Sequence, residues 1–208
     1  MTDECLAEND NLRNEYEPLF HDVPKSVPFA RIALQKDPDA INFWLGNSRS
    51  STALHKDPYE NIYVQVIGQK HFVLLPPIAS ACVNDQPQPV ATYAPSIPPS
   101  KDLLDKVTFR PVLDEPHTTI PFATWDPDVP NRNKTAFSVL GTPVRVTLNP
   151  SDMLYLPALW YHKVSQSCST EGICCAVNYW YDMDYSGSFY PLTTFAKRIE
   201  ELARRSPV

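Results

Sequence analysis

Apolar and polar residues alternate with a period of two along several stretches of the chain, and each such stretch predicts a strand. Over residues 61–67, Ile62, Val64 and Val66 fall on one face and Asn61, Tyr63 and Gln65 on the other. Gly68-Gln69 turns the chain back through a second alternating run, 70–75, which Pro76-Pro77 ends. Residues 41–45, 142–148, 153–156, 161–164 and 173–181 read as further strands, with Asn149-Pro150-Ser151-Asp152 as a turn. A short helix is predicted over 27–35, stopped by Asp37-Pro38. Only the tail, 191–205, has strong helical periodicity, with Leu192, Phe195, Ile199 and Leu202 on one side. Many short strands with turns between them and a helix at the end predict a mainly β fold, an antiparallel barrel or sandwich.

Composition narrows this picture. A chain of 208 residues that is 43% hydrophobic and 20% charged can bury one core and is not disordered as a whole. Its formal net charge of −6 excludes a broad basic surface, so no direct nucleic-acid binding is expected. No apolar run approaches the roughly 20 residues that span a bilayer. The start, Met-Thr-Asp-Glu-Cys, lacks the basic and apolar stretches of a signal peptide, so the expected place is the cytoplasm, with the nucleus second. Five cysteines without metal-knuckle spacing, two of them adjacent at Cys174-Cys175 in an apolar segment, suit buried thiols rather than a disulfide scaffold.

The chain has 22 prolines against 5 glycines, and twelve of those prolines lie between Pro76 and Pro130. Proline cannot donate to a ladder, so residues 76–135 read as a stiff insertion with at most a short helix near 101–106. The expected organisation is a polar, loosely held arm over 1–25, a barrel over 26–188 carrying that insertion, and a terminal helix over 189–208. The apolar stripe of the helix is expected to cover the barrel or meet a partner chain.

Candidate chemistry begins at His55-Lys56-Asp57. Counting in twos from His55 gives Asp57, Tyr59, Asn61 and Tyr63, so an extended segment shows one polar face, either exposed to solvent or lining a polar cavity. A second histidine, His162, opens an apolar strand behind Pro157 and Trp160, where an unpartnered polar ring would be costly. Together His55, Asp57 and His162 form a set of two histidines and one carboxylate, which leaves coordination positions open and suits non-haem Fe(II) and its oxygen chemistry. Lys70 shares parity with Phe72 and Leu74, an expensive place for an ammonium unless an anion meets it. With Thr52 it could hold the far carboxylate of a dicarboxylic cosubstrate, and Asn178 could add an amide to the same cavity. His71 should face the other way and be structural, and Trp125 suits loop packing better than a substrate rim.

The segments Asn42-Phe-Trp-Leu-Gly46, Leu54-His-Lys-Asp-Pro-Tyr-Glu-Asn61, Gly68-Gln-Lys70-His-Phe, Met153-Leu-Tyr-Leu-Pro-Ala-Leu-Trp-Tyr-His162 and Ala176-Val-Asn-Tyr-Trp-Tyr-Asp182 resemble the Jumonji-C oxygenases of the cupin superfamily. Within these the likeness is to the small lysyl hydroxylases of the jumonji domain-containing protein 7 type. The resemblance implies a double-stranded β-helix (jelly-roll) barrel with flanking helices, Fe(II) on His55, Asp57 and His162, 2-oxoglutarate as cosubstrate, and O2 as oxidant. It further implies that Lys70 and Thr52 take the distal carboxylate, with Asn61, Tyr63 and Asn178 around the cosubstrate and metal. The presence of Asp57 favours hydroxylation over halogenation, since related halogenating enzymes lack the carboxylate.

The implied substrate is a protein lysyl side chain, in translation-linked GTPases, and family members often dimerise. A catalytically impaired module that binds peptides and a histone N-methyl-lysine demethylase are the alternative readings; no reader domain, zinc finger or basic tract supports the latter. Two departures from the family pattern stand out. The turn that usually reads Gly-Asp is Ser151-Asp152 here, and residues 1–25 read as the remnant of a longer N-terminal region.

Overall fold

The computed structural model describes residues 10–96 and 107–205. Eight strands form two four-stranded antiparallel sheets. The first orders β1 (Ala40–Gly46), β12 (Cys174–Asp182), β3 (Tyr59–Ile67) and β10 (Met153–Leu156). The second orders β2 (Ser51–His55), β11 (Tyr161–Ser167), β4 (Gln69–Leu75) and β9 (Val144–Leu148). Strands β1 to β4 alternate between the sheets, and so do β9 to β12, which makes the molecule a jelly roll of the double-stranded β-helix kind. Tyr63, Phe72, Leu74, Leu148, Leu156, Val164 and Ala176 pack between the sheets. The central strand β12 is buried on both faces, which is why its sequence reads as a near-continuous apolar run. Its outer face, with Val177, Tyr179 and Tyr181, is covered by Leu12, Val27 and Ala30. The four described cysteines, Cys82, Cys168, Cys174 and Cys175, are free.

Residues 10–25 differ from the loose arm expected of their polarity. They carry two short helices, α1 (Asn11–Asn14) and α2 (Glu17–Phe20), ahead of α3 (Pro28–Leu34), and Leu12 is fully buried. Strand β1 lies at a sheet edge, where its free backbone groups would invite unwanted pairing. The Asn11 amide meets both groups of one residue: Phe43 N donates to Asn11 Oδ1 at 2.7 Å and Asn11 Nδ2 donates to Phe43 O at 3.1 Å. Asp10 Oδ1 accepts from Ile41 N at 2.8 Å. Side chains that composition reads as solvent-facing act here as a substitute strand.

The proline-rich insertion is more ordered than the sequence suggests. After a 3-10 turn, Pro77–Cys82, β5 (Asp85–Pro89) pairs with β8 (Thr119–Ala123), and β6 (Ala91–Pro95) pairs with β7 (Phe109–Leu113). Each ladder has only two strands, so Pro87 and Pro121, which stand opposite one another, can turn their donorless nitrogens outward. The short helix expected near 101–106 lies outside the described residues. Trp125 packs with Leu54, Leu75 and Tyr161, and its indole donates to Pro130 O at 3.1 Å, so it serves loop packing as expected. Lys163 on β11 pins the insertion by binding Asp126 and Asp128, each at 2.7 Å.

The terminal helix α4 (Phe189–Arg205) is anchored by Lys197 to Asp85 at 3.0 Å. Its stripe of Leu192, Phe195, Ile199 and Leu202 does not cover the barrel, since each of these residues is about half exposed or more. Anchoring through a polar residue on the opposite side leaves the apolar face outward. No described helix is long and apolar enough to cross a membrane.

Ser151 stands where the family has glycine, and the structure explains the family preference. Its φ is 76°, in the left-handed region, and its N–H donates to Gln65 O at 2.9 Å. The Asp152 carboxylate holds the turn by accepting from Asn149 N at 2.7 Å. Ser151→Gly relieves the left-handed penalty, and a gain of about 0.5–1 kcal/mol is expected, seen as a rise of roughly 2–3 °C in thermal unfolding. Asn11→Ala leaves the β1 edge open, and a loss of about 2 kcal/mol, or roughly 4–8 °C, is expected in the same measurement.

Candidate metal centre

His55 ends β2 and His162 begins close to the start of β11, and the two are direct partners across the antiparallel ladder. Their rings lie 4.1 Å apart between centroids. Asp57 follows His55 by two residues, and the proline after it, Pro58, restricts Asp57 to extended backbone, which keeps the two side chains on one side. Asp57 Oδ2 is 3.6 Å from His55 Nε2 and 3.5 Å from His162 Nε2. The two loops are laced together: Leu159 N donates to Asp57 O at 2.9 Å, and Glu60 Oε2 accepts from Ala158 N at 3.2 Å and from Tyr155 OH at 2.7 Å. Leu159 takes φ 64° within this turn, a conformation its partners on the Asp57 loop hold in place.

The ring nitrogens are sorted by their other contacts. His55 Nδ1 faces the Ala53 carbonyl at 2.8 Å and His162 Nδ1 faces the Trp160 carbonyl at 3.0 Å. A carbonyl only accepts, so each Nδ1 carries a proton, and a ring that holds no second proton turns its Nε2 lone pair toward Asp57. Burial and the neighbouring His55 push His162 down to about 4, so its imidazole is neutral at ordinary pH. Burial also opposes charge on His55, but the facing Asp57 carboxylate outweighs it and raises that ring above its usual value. Despite burial, the two histidines hold the Asp57 carboxyl below the usual carboxylate range.

One atom from each residue falls within 4.8 Å of the others. Two oriented imidazole nitrogens and an ionised carboxylate on one side of an open space are the donor set of a divalent transition metal, so the residues present fit such an ion.

The triad opens on a cavity of about 110 Å³, whereas one water needs roughly 10–15 Å³ by the same measure, so a small dicarboxylate has room. All eight residues singled out in the sequence line it: Thr52, His55, Asp57, Asn61, Tyr63, Lys70, His162 and Asn178. Of the two readings open for the polar face of β3, the cavity is therefore the one the structure takes. Thr52 reaches it through a bulge. Thr52 and His55 are three positions apart on β2, while their partners Val164 and His162 are only two apart on β11, so the extra residue restores Thr52 to the inner face. Lys70 is buried, and burial pushes its ammonium down from the usual lysine value. No carboxylate among the described residues pairs with it; its ammonium lies over the Tyr63 ring, 5.9 Å from the centroid. The Tyr63 phenol is raised by burial and stays protonated.

Four lining residues were not singled out: Trp44, Phe72, Val164 and Trp180. Trp180 shares parity with Asn178 on β12, a signal the alternation already contained. Trp44 stands two residues beyond Asn42, the cross-strand partner of Asn178, but nothing within β1 marks it as inward. Tyr59 keeps the parity of the polar face but stacks on Trp180, rings 4.7 Å apart and 3° from parallel, behind the cavity wall. His71 is structural, bound to Thr147 Oγ1 at 3.0 Å and Ser167 Oγ at 2.8 Å on the opposite face.

Comparison with known proteins agrees with this geometry. The model of the cupin-like domain family matches residues 2–187, and the chain belongs to that family. It is 42% identical over 176 residues to the human bifunctional peptidase and (3S)-lysyl hydroxylase JMJD7, covering 84% of this chain and 52% of that protein. It is 35% identical over 186 residues to the Arabidopsis thaliana lysine-specific demethylase JMJ32, and 34% identical over 186 to the JmjC domain-containing protein E of Dictyostelium discoideum. Each of these two matches covers 86% of this chain and 52% of the relative. The chain thus spans about half the length of the curated relatives it matches.

Adding Mn(II) or Fe(II) at roughly a hundred times its dissociation constant is expected to raise the melting temperature by about 5–10 °C. His162→Ala should remove that rise, while His71→Ala, whatever its effect on the baseline, should keep it. Retention of the full rise in His162→Ala would place the cation elsewhere.

Proposed function

We propose that this chain carries the catalytic barrel of an Fe(II)- and 2-oxoglutarate-dependent protein hydroxylase acting on a lysyl side chain. The observation that carries the reading is Lys70: a buried ammonium without an acid partner among the described residues, in the same cavity as two oriented histidines and a carboxylate. In this reading His55, Asp57 and His162 hold Fe(II) from one side. Lys70 and Thr52 receive the distal carboxylate of 2-oxoglutarate, and Asn61, Tyr63 and Asn178 line its path to the metal. Bound there, iron, O2 and the cosubstrate would supply oxidative hydroxylation of a C–H bond, with release of succinate and CO2.

The chain's own part is electrostatic and geometric. The dipositive ion would neutralise the Asp57 charge and occupy the space the two imidazoles face. A carboxylate beside Lys70 would offset the burial that now depresses its ammonium. Tyr63, kept protonated by its surroundings, can only donate or accept a hydrogen bond without adding charge. Walls of Phe72, Val164 and Trp180 exclude water from one side of the cavity, which strengthens each of these contacts.

Residues 26–188 form the working unit in this proposal, with 1–25 and 189–208 as appendages. A cytoplasmic place with some nuclear presence, substrates among translation-linked GTPases, and a homodimer all belong to the same proposal; they rest on the family resemblance, with the exposed α4 stripe agreeing with the last.

Incubation of candidate lysyl peptides with the enzyme, Fe(II), 2-oxoglutarate and ascorbate should yield a gain of one oxygen by mass spectrometry, absent in His55→Ala. Formaldehyde from methylated peptides would move the reading to a demethylase, and metal binding without turnover would move it to a peptide-binding module. Lys70→Met should raise KM for 2-oxoglutarate by about tenfold or more, because an ionised hydrogen bond of roughly 1.5–3 kcal/mol is lost. An unchanged KM would end the assignment of the distal carboxylate to Lys70.

A further inference from the structure

We infer that Trp44 is a positioning residue: its indole N–H sets the orientation of two buried amides, Asn178 and Asn61, so that the cavity is offered N–H donors rather than a carbonyl oxygen. This rests on the cosubstrate reading above and names the residue that polarises that part of the site. The three side chains form a chain of hydrogen bonds along the cavity wall. Trp44 Nε1 donates to Asn178 Oδ1 at 2.9 Å, and Asn178 Nδ2 donates to Asn61 Oδ1 at 3.1 Å. Asn178 and Asn61 are almost wholly buried, while Trp44 is 39% exposed at the outer end of the chain.

The direction of this chain follows from chemistry. An amide side chain can be turned end for end at nearly constant shape, so its own outline does not choose between its oxygen and its nitrogen. Indole nitrogen only donates. The end of Asn178 that faces Trp44 must therefore be the oxygen, and the end that faces Asn61 must be the NH2. Asn61 must answer with its oxygen, because two donors would otherwise oppose each other in a buried place. The Asn61 NH2 is then left without a protein partner among the described residues, on a side chain that lines the cavity. Trp180 lines the same cavity, but its indole N–H, which has no partner among the described residues, is itself fully buried and does not open on it. With the Lys70 ammonium, the Asn61 NH2 gives the cavity two donors that suit an anion or a keto oxygen.

Without the indole N–H the pair can turn over together. Asn178 would give its oxygen to the Asn61 NH2, and Asn61 would show its carbonyl oxygen to the cavity, where it repels a carboxylate. A binding-competent fraction below one weakens affinity by that same fraction. Trp44→Phe keeps an aromatic ring, smaller by the pyrrole part of the indole, and deletes the donor.

In the Mn(II)-loaded protein, calorimetry should show the dissociation constant for 2-oxoglutarate rising by roughly three- to tenfold in Trp44→Phe, the size of one net hydrogen bond. The affinity for Mn(II) itself should stay within about twofold, a split that general loosening of the site would not produce. In the ligand-free protein, the side-chain amide resonances of Asn61 and Asn178 should form one set in the wild type and become doubled or exchange-broadened in Trp44→Phe. Asn178→Asp tests the same relay from its centre, and serves also if Trp44→Phe folds poorly. Its carboxylate only accepts, so it takes both Trp44 and the Asn61 NH2, turns the Asn61 oxygen inward, and should weaken 2-oxoglutarate by more than Trp44→Phe does. Single amide resonances with unchanged 2-oxoglutarate affinity in Trp44→Phe would overturn the relay. Failure of the wild type to bind 2-oxoglutarate would instead overturn the functional reading, and the amide resonances would still decide the relay.

Discussion

The antiparallel pairing of β2 with β11 is the constraint on which the site depends. It sets His162 directly opposite His55, two residues more than a hundred positions apart in the chain. The one-residue bulge in the same ladder returns Thr52 to the cavity side, so a single strand supplies both a metal-facing ring and a hydroxyl on the cavity wall. Asp57 needs a further tether, because it lies beyond the end of β2. The hydrogen bond from Leu159 to the Asp57 carbonyl supplies it, and the Glu60 carboxylate secures the turn that carries Leu159.

A polar cavity inside a small barrel works against the packing that stabilises the fold. Lys70, Asn61, Asn178 and His162 are all buried, and each costs free energy that a leucine in its place would not. The molecule offsets this outside the barrel. The N-terminal helices cover the outer face of β12 and the edge of β1, the insertion packs Trp125 over Leu54 and Tyr161, and Lys163 binds two aspartates of that insertion beside His162. The segments that look peripheral by composition are therefore the supports that let the interior remain polar.

Much of the barrel was legible because its strands alternate cleanly or, in β12, run apolar without interruption. The terminal helix was legible from its 3.6-residue pattern, and α3 from the Asp37-Pro38 stop that follows it. The insertion was harder to read. Its prolines argue against strands in general, yet two-stranded ribbons leave half of each backbone free, and Pro87 and Pro121 use that freedom. The arm was misleading in the opposite sense, since Asp10 and Asn11 are polar residues whose partners are backbone groups of a distant strand.

The sequence by itself determined the chemistry on offer: two histidines, an aspartate, a lysine on an apolar face and an asparagine in a buried run, each recognisable from residue type and parity. Tertiary structure decided which of these meet. Parity is a property of one strand, whereas convergence depends on register between strands, and register is set by long-range pairing and by bulges that local pattern does not reveal. The same reason hid Trp44: nothing near it in the chain shows that its indole faces Asn178 across a ladder, and only that contact tells one end of a buried amide from the other.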